Sequence, residues 1–157
     1  MKERFKTFTV LIAKISRNIK KIKNQEMAEY GLRSVHVTCL YYLYAEKSLT
    51  ATELCECCEE DKATISRALD FLEENGYIVC ETQHAKRYKS ALVLSEKGMA
   101  IGQKITDKIN CVLDDICIDL TEAQRVEFYR SLAIISDSLE LCTKGIQKAK
   151  NIKTDKA

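Results

Sequence analysis

Lys62-Ala63-Thr64-Ile65-Ser66-Arg67 gathers two cations and two hydroxyls in one short run, with no acidic residue among them. If the run is helical, Ile65 turns inward and Lys62, Ala63, Thr64, Ser66 and Arg67 line the outer face. Thr64 and Ser66 can donate to phosphate oxygens or meet base edges. Arg67 can pair with a phosphate or grip a guanine edge through two parallel N–H donors. The free amides and dipole at the start of such a helix add attraction for phosphate. A second basic cluster follows at His84, Lys86, Arg87 and Lys89. A loop carrying a cation suits a narrow minor groove, where the negative potential is enhanced. The chemistry on offer is recognition of double-stranded DNA. The plainer alternative is a solvated helix face and a charged loop.

The chain has eight cysteines and two histidines. With no export signal, a reducing cytosol is expected and a disulfide framework is not. Cys55 and Cys58 are one helical turn apart, on one face, and read as small core hydrophobes. Cys57 points elsewhere and is the expected exposed thiol, but Glu53, Glu56 and Glu60 would raise its pKa. By position, a redox role falls to Cys39, Cys111 or Cys117. Structural zinc commonly takes two close ligand pairs; the second is missing, so no metal is expected. His36 either caps a helix locally or lines a cleft. Tyr41, Tyr42 and Tyr44 read as core, with a cleft lining as the alternative. No nucleophile–base pair, glycine-rich phosphate loop or carboxylate pair with a catalytic setting is present. The chain therefore reads as no enzyme, without catalytic residues or a cofactor.

These residues need a scaffold, and 157 residues with 46% hydrophobic and 31% charged content suffice for one packed domain. The net charge of +2 is small for a nucleic-acid binder, so distribution matters more than total. Acidic residues crowd Glu53–Asp61, and the wing cations follow. Lys14, Arg17, Lys20 and Lys21 interrupt the apolar N-terminal segment at helical spacing, which excludes a spanning helix and a signal peptide. A cytoplasmic protein with no membrane contact is expected.

Proline is absent, which favours long helices. Phe5, Phe8, Ile12, Ile15, Ile19 and Ile22 form one helical stripe that must pack against distant parts of the chain or a second chain. Ser34 is the expected cap of a second helix running to about Glu46, with Val37, Leu40, Tyr41 and Tyr44 inward. Thr50-Ala51-Thr52-Glu53 is a capping box opening a short helix through about Cys58. Asp61 caps the next helix, with Ile65, Ala68, Leu69 and Leu72 inward. Asn75-Gly76-Tyr77 stops it, Gly76 left-handed and Tyr77 packing back on Leu72. The runs Tyr77–Thr82 and Tyr88–Leu94 read as a hairpin with a projecting loop at 83–87. Ser95 caps a long helix carrying Ile105, Ile109, Val112, Leu113 and Ile116. Thr121-Glu122-Ala123-Gln124 opens the last helix, with Phe128, Leu132, Ile135, Leu139 and Cys142 inward. The lysine-rich end from Lys144 lacks an apolar stripe and is expected to fray. Residues 50–75 thus form a helix-turn-helix candidate and the hairpin a wing.

Over residues 5–142 the sequence resembles the MarR family of transcriptional regulators. The resemblance rests on Glu53-Leu54-Cys55, on Asp61-Lys62-Ala63-Thr64-Ile65-Ser66-Arg67, and on Leu72-Glu73-Glu74-Asn75-Gly76-Tyr77-Ile78. Leu94-Ser95-Glu96-Lys97-Gly98 is similar to the family's run after the wing. Three positions depart from the pattern. Ala85 stands where an acidic residue usually braces the wing arginine. Glu59 and Glu60 replace a glycine and an apolar residue in the turn. Cys55 and Cys58 stand at small and aliphatic core positions.

The resemblance implies a mainly α fold with a small β-hairpin wing. Residues 1–30 and 96–145 would form a helical dimerisation region, 31–95 the winged helix-turn-helix domain and 146–157 a flexible tail. It implies a homodimeric repressor on a pseudo-palindromic operator, with residues 62–67 in the major groove and Arg87 in the minor groove. A redox signal or a small aromatic or phenolic effector, in a cleft between dimer helices and winged domain, would modulate it. The alternatives are a winged-helix protein-interaction module without operator binding, or a thiol or metal sensor.

Overall fold

The structure, a computed structural model, describes residues 2–80 and 90–154. Among these residues the elements run α1 (Lys2–Glu26), a 3₁₀ turn (Ala28–Tyr30), α2 (Ser34–Glu46), α3 (Ala51–Cys58), α4 (Lys62–Glu74), β1 (Ile78–Cys80), β2 (Leu92–Leu94), α5 (Glu96–Ile116) and α6 (Glu122–Thr154). This is the mainly α fold with a two-stranded antiparallel hairpin that the sequence indicates. The strands pair Ile78 with Leu94, Val79 with Val93 and Cys80 with Leu92. Leu49, just before α3, forms an isolated antiparallel bridge to Leu92 through two backbone hydrogen bonds. His84, Lys86, Arg87 and Lys89 lie outside the described residues.

The chain divides into two compact units, Met1–Asn110 and Cys111–Ala157. The core of the first is built from α2, α3, α4 and the hairpin. Val37, Cys39, Leu40 and Leu43 of α2 meet Leu54 of α3 and Ile65, Ala68, Leu69 and Leu72 of α4, all buried. Met27, Leu32, Tyr77, Ile78, Leu92, Ile101 and Ile105 complete it. Tyr41 and Tyr44 are only half-buried, and Leu43 takes the inward place between them.

Three local devices fix the helix-turn-helix. Thr50 accepts from the Glu53 amide (3.3 Å) while the Glu53 carboxylate accepts from the Thr50 amide (2.7 Å), closing the capping box. Asp61 accepts from the Thr64 amide at 2.8 Å and caps α4. At the other end Gly76 takes φ +71° and the Tyr77 amide donates back to the Leu72 carbonyl at 2.8 Å. Ser95 then ties the start of α5 to this stop. Its Oγ donates to the Gly76 carbonyl (2.6 Å) and accepts from the Gly98 amide (3.0 Å). Gly98 passes so close that a Cβ would sit 2.0 Å from the Tyr77 carbonyl oxygen.

Four details differ from the sequence reading. Ser34 is the first residue of α2, and Arg33 occupies the cap position. The Arg33 amide donates to His36 Nδ1 (3.1 Å) and the Ser34 amide to Asn24 Oδ1 of α1 (2.6 Å), so no serine hydroxyl is needed there. The 3₁₀ turn was not anticipated; Gly31, at φ +67°, ends it. The last helix continues to Thr154 instead of fraying from Lys144, because its one interruption, Gly145, costs only about 1 kcal/mol. Phe128, Ile135, Leu139 and Cys142 of α6 are exposed rather than inward.

Candidate nucleic-acid interface

The N-terminal turn of α4 stands on the surface because its inner positions, Ile65, Ala68 and Leu69, are held in the core. That anchoring turns Lys62, Ala63, Ser66 and Arg67 to solvent and leaves Thr64 half-buried. The structure therefore brings five of the sequence-identified residues onto one face. Between α3 and α4 this face opens into a groove of about 550 Å³, lined by Ala51, Thr52, Cys55, Lys62, Ala63, Ile65, Ser66 and Leu69.

The polar groups on the face are ordered before any partner arrives. The Thr64 amide and then its hydroxyl donate to Asp61, holding that carboxyl below the usual range. Thr64 Oγ1 donates to Asp61 Oδ2 at 2.9 Å and accepts from Arg67 Nη2 at 3.3 Å. The hydroxyl hydrogen of Thr64 is thus engaged by Asp61, while its oxygen holds Arg67 Nη2. Arg67 retains further N–H donors for an external acceptor. Lys62 presents an exposed side chain at the same end, where the Thr64 and Ala63 amides are taken up by the Asp61 carboxylate.

The sequence reading missed the contribution of α3. Ala51 and Thr52, small residues just inside the capping box, form the far wall of the groove. Thr52 lies between the capping-box partners at an exposed position. The wing residues His84, Lys86, Arg87 and Lys89 lie outside the described residues.

His36 and the tyrosines lie apart from this face. His36 is buried, stacks on Phe71 at 4.3 Å between ring centroids, and accepts from the Arg33 amide. Burial, then the nearby Arg33, lowers its pKa. Its role is the local cap. Among the described residues no cluster of three or more His, Cys, Asp or Glu side chains could hold a metal ion. No helix among them is long and apolar enough to cross a membrane.

Residues 30–87 match the model of the MarR family. No curated protein matches the sequence. Solved structures are similar over most of the chain. NMB1585, a MarR family regulator from Neisseria meningitidis, is 20% identical with a TM-score of 0.75, covering 90% of this chain and 96% of its own. MepR of S. aureus, solved as a DNA complex, is 19% identical with a TM-score of 0.74, covering 84% and 97%. A MarR protein from Peptoclostridium difficile is 19% identical with a TM-score of 0.77, covering 85% and 87%.

Proposed function

We propose that this chain, whose winged helix-turn-helix domain is that of the MarR family, is a transcription regulator that binds duplex DNA as a homodimer. The observation that carries the proposal is the exposed first turn of α4. It presents Lys62, Ala63, Ser66 and a Thr64-steered Arg67 beside an open groove, with no acidic residue between Lys62 and Arg67. That is the surface a recognition helix needs to enter a major groove. The S. aureus relative of the same fold was solved with DNA, which supports the same use here.

The homodimer is favoured by apolar surface. On α1, Phe8, Leu11, Ile12, Ile15 and Ile19 are exposed. On α6, Val126, Phe128, Ile134, Ile135, Leu139 and Leu141 are exposed. Monomeric proteins rarely leave contiguous apolar faces of such length open. Residues 1–30 and 96–145 are the dimerisation region in this proposal, and 31–95 the reading head. Two heads would meet half-sites about one helical turn apart on a pseudo-palindromic operator. Wing residues His84, Lys86, Arg87 and Lys89 would approach the flanking minor groove. Repression, relieved by a small aromatic or phenolic compound or by oxidation, is the mode of action proposed.

The test is a fluorescence anisotropy titration of the full chain on duplex DNA flanking its own gene. Saturable, salt-sensitive binding by a dimer is expected. A folded dimer that shows no binding at low salt would instead indicate a protein-interaction module.

A further inference from the structure

Cys39 and Cys58 are far apart in sequence, yet their Sγ atoms lie 3.9 Å apart in hydrogen-bonding contact. Cys39, on α2, has no solvent exposure, whereas Cys58, the last residue of α3, is half-buried. Lys23 of α1 reaches the same place. Its Nζ is half-buried and donates to Thr38 Oγ1 at 3.0 Å. The contact with Cys39 and the charge of Lys23 both favour a Cys58 thiolate, against burial and the nearby Glu60, and the net direction is downward. Cys39 moves the other way, first through its hydrogen bond with Cys58 and then through burial, so it keeps its proton. Cys55 and Cys57 lack this arrangement. Burial raises both, and neighbouring acids add to it. One sulfur is therefore poised to attack, and a second is in place to resolve.

We propose that Cys39 and Cys58 are a redox-active dithiol that closes to an intrachain disulfide when the protein meets a hydroperoxide. The Cys58 sulfur attacks one oxygen of hydrogen peroxide. The O–O bond breaks, Cys58 becomes a sulfenic acid, and the departing hydroxide takes up the proton that the Cys58 thiol had released and leaves as one water. The Cys39 sulfur then attacks the Cys58 sulfur. The S–S bond forms, the S–O bond breaks, and the departing hydroxide takes the Cys39 proton as a second water. Two electrons pass from the sulfurs to the peroxide, and an added thiol reverses the step. The sulfurs must approach to about 2.0 Å. Cys58 is followed by Glu59, held at φ +51°, then by Glu60, whose amide donates to the Cys55 carbonyl, and then by the α4 cap Asp61. Closure therefore pulls on the turn that sets α4. The effect on DNA rests on the regulator reading; the thiol chemistry does not.

The experiment treats the reduced full-length protein with equimolar hydrogen peroxide, alkylates the remaining thiols and maps tryptic peptides. The expected product is a single chain lighter by two hydrogens. It links peptide 34–47, whose one cysteine is Cys39, to peptide 48–62. Fragmentation of the wild-type product places the link on Cys58, so the result does not depend on a variant folding. Cys55→Ser and Cys57→Ser keep the link, and Cys58→Ser loses it. A link through Cys55 or Cys57, a link between chains, or Cys58 sulfinic acid without a link overturns the proposal. The same samples are titrated on the flanking DNA. Linkage with unchanged affinity overturns the coupling to α4. Failure of the reduced protein to bind DNA overturns the regulator reading and leaves the linkage standing.

Discussion

In the proposed regulator Arg67 would carry recognition, since Thr64 holds it and Asp61 in turn holds Thr64. A bidentate arginine–guanine pair is worth about 1–3 kcal/mol. Arg67→Ala is therefore expected to weaken binding roughly tenfold or more, and to relax preference at one base pair if a base is its target. Thr64→Val removes the steering hydroxyl and should cost less affinity while blurring the same preference. Competition titrations with single-base operator variants check both. His36 sets a different expectation. Its Nδ1 accepts from the Arg33 amide, which requires the neutral ring, and burial followed by Arg33 lowers its pKa. The unfolded chain binds the proton more readily, so folding stability is in place at neutral pH. It falls as pH drops through the ordinary histidine value near 6.5 toward the lower folded value. His36→Asn keeps an acceptor without the titration. Chemical denaturation at pH 7.5 and 5.5 should show a smaller loss in the variant than in the wild type. An equal loss in both would place the acid sensitivity elsewhere.

At the scale of elements, the account depends on α4 being held at both ends. Asp61 caps its start, and Ser95 and Gly98 grip its stop. Thr50→Ala breaks one cap at the start of α3 and should cost about 1 kcal/mol. Gly98→Ala should cost clearly more, since its Cβ would meet the Tyr77 carbonyl oxygen, a backbone atom that cannot swing aside. Thermal unfolding of both variants checks the ordering. The caps at Thr50, Asp61, Ser95 and Thr121, the Gly76 stop and the buried set Ile65, Ala68, Leu69 and Leu72 were legible in the sequence. Each is a local pattern in which a side chain answers a backbone group three residues away or a helical period. The start of α2 was not legible, because Asn24, the acceptor that replaces a serine cap, comes from another helix. Thr52 in the groove wall and the Cys39–Cys58 contact escaped for the same reason. Both depend on how α3 lies against its neighbours, and no spacing along the chain encodes that. The extent of α6 was misjudged because the lysine-rich segment lacks an apolar stripe. Loss of a stripe removes a reason to pack, while the segment has no proline and one glycine, which lowers helix propensity by about 1 kcal/mol.

At the scale of the whole molecule, α1 and α6 each expose a series of large apolar side chains along their length. Phe8, Ile12, Ile15 and Ile19 recur at helical spacing along α1, and all are exposed. A double substitution, Ile15→Glu with Ile19→Glu, should leave the winged domain folded, because neither side chain contributes to its core. It should nevertheless convert a dimer to a monomer in sedimentation velocity and weaken binding to a two-half-site operator far more than to a single half-site. Retention of the dimer would remove α1 from the interface. In the proposed function the face built by Lys62, Ala63, Thr64, Ser66 and Arg67 reads duplex DNA. Its most direct test is a parallel titration of wild type and Arg67→Ala on duplex from beside the gene, with the salt concentration varied. Dimer binding is expected to weaken as salt rises, with a loss of roughly tenfold or more in the variant at every salt concentration. Identical curves for the two proteins, or no binding by a folded wild-type dimer at low salt, would contradict it.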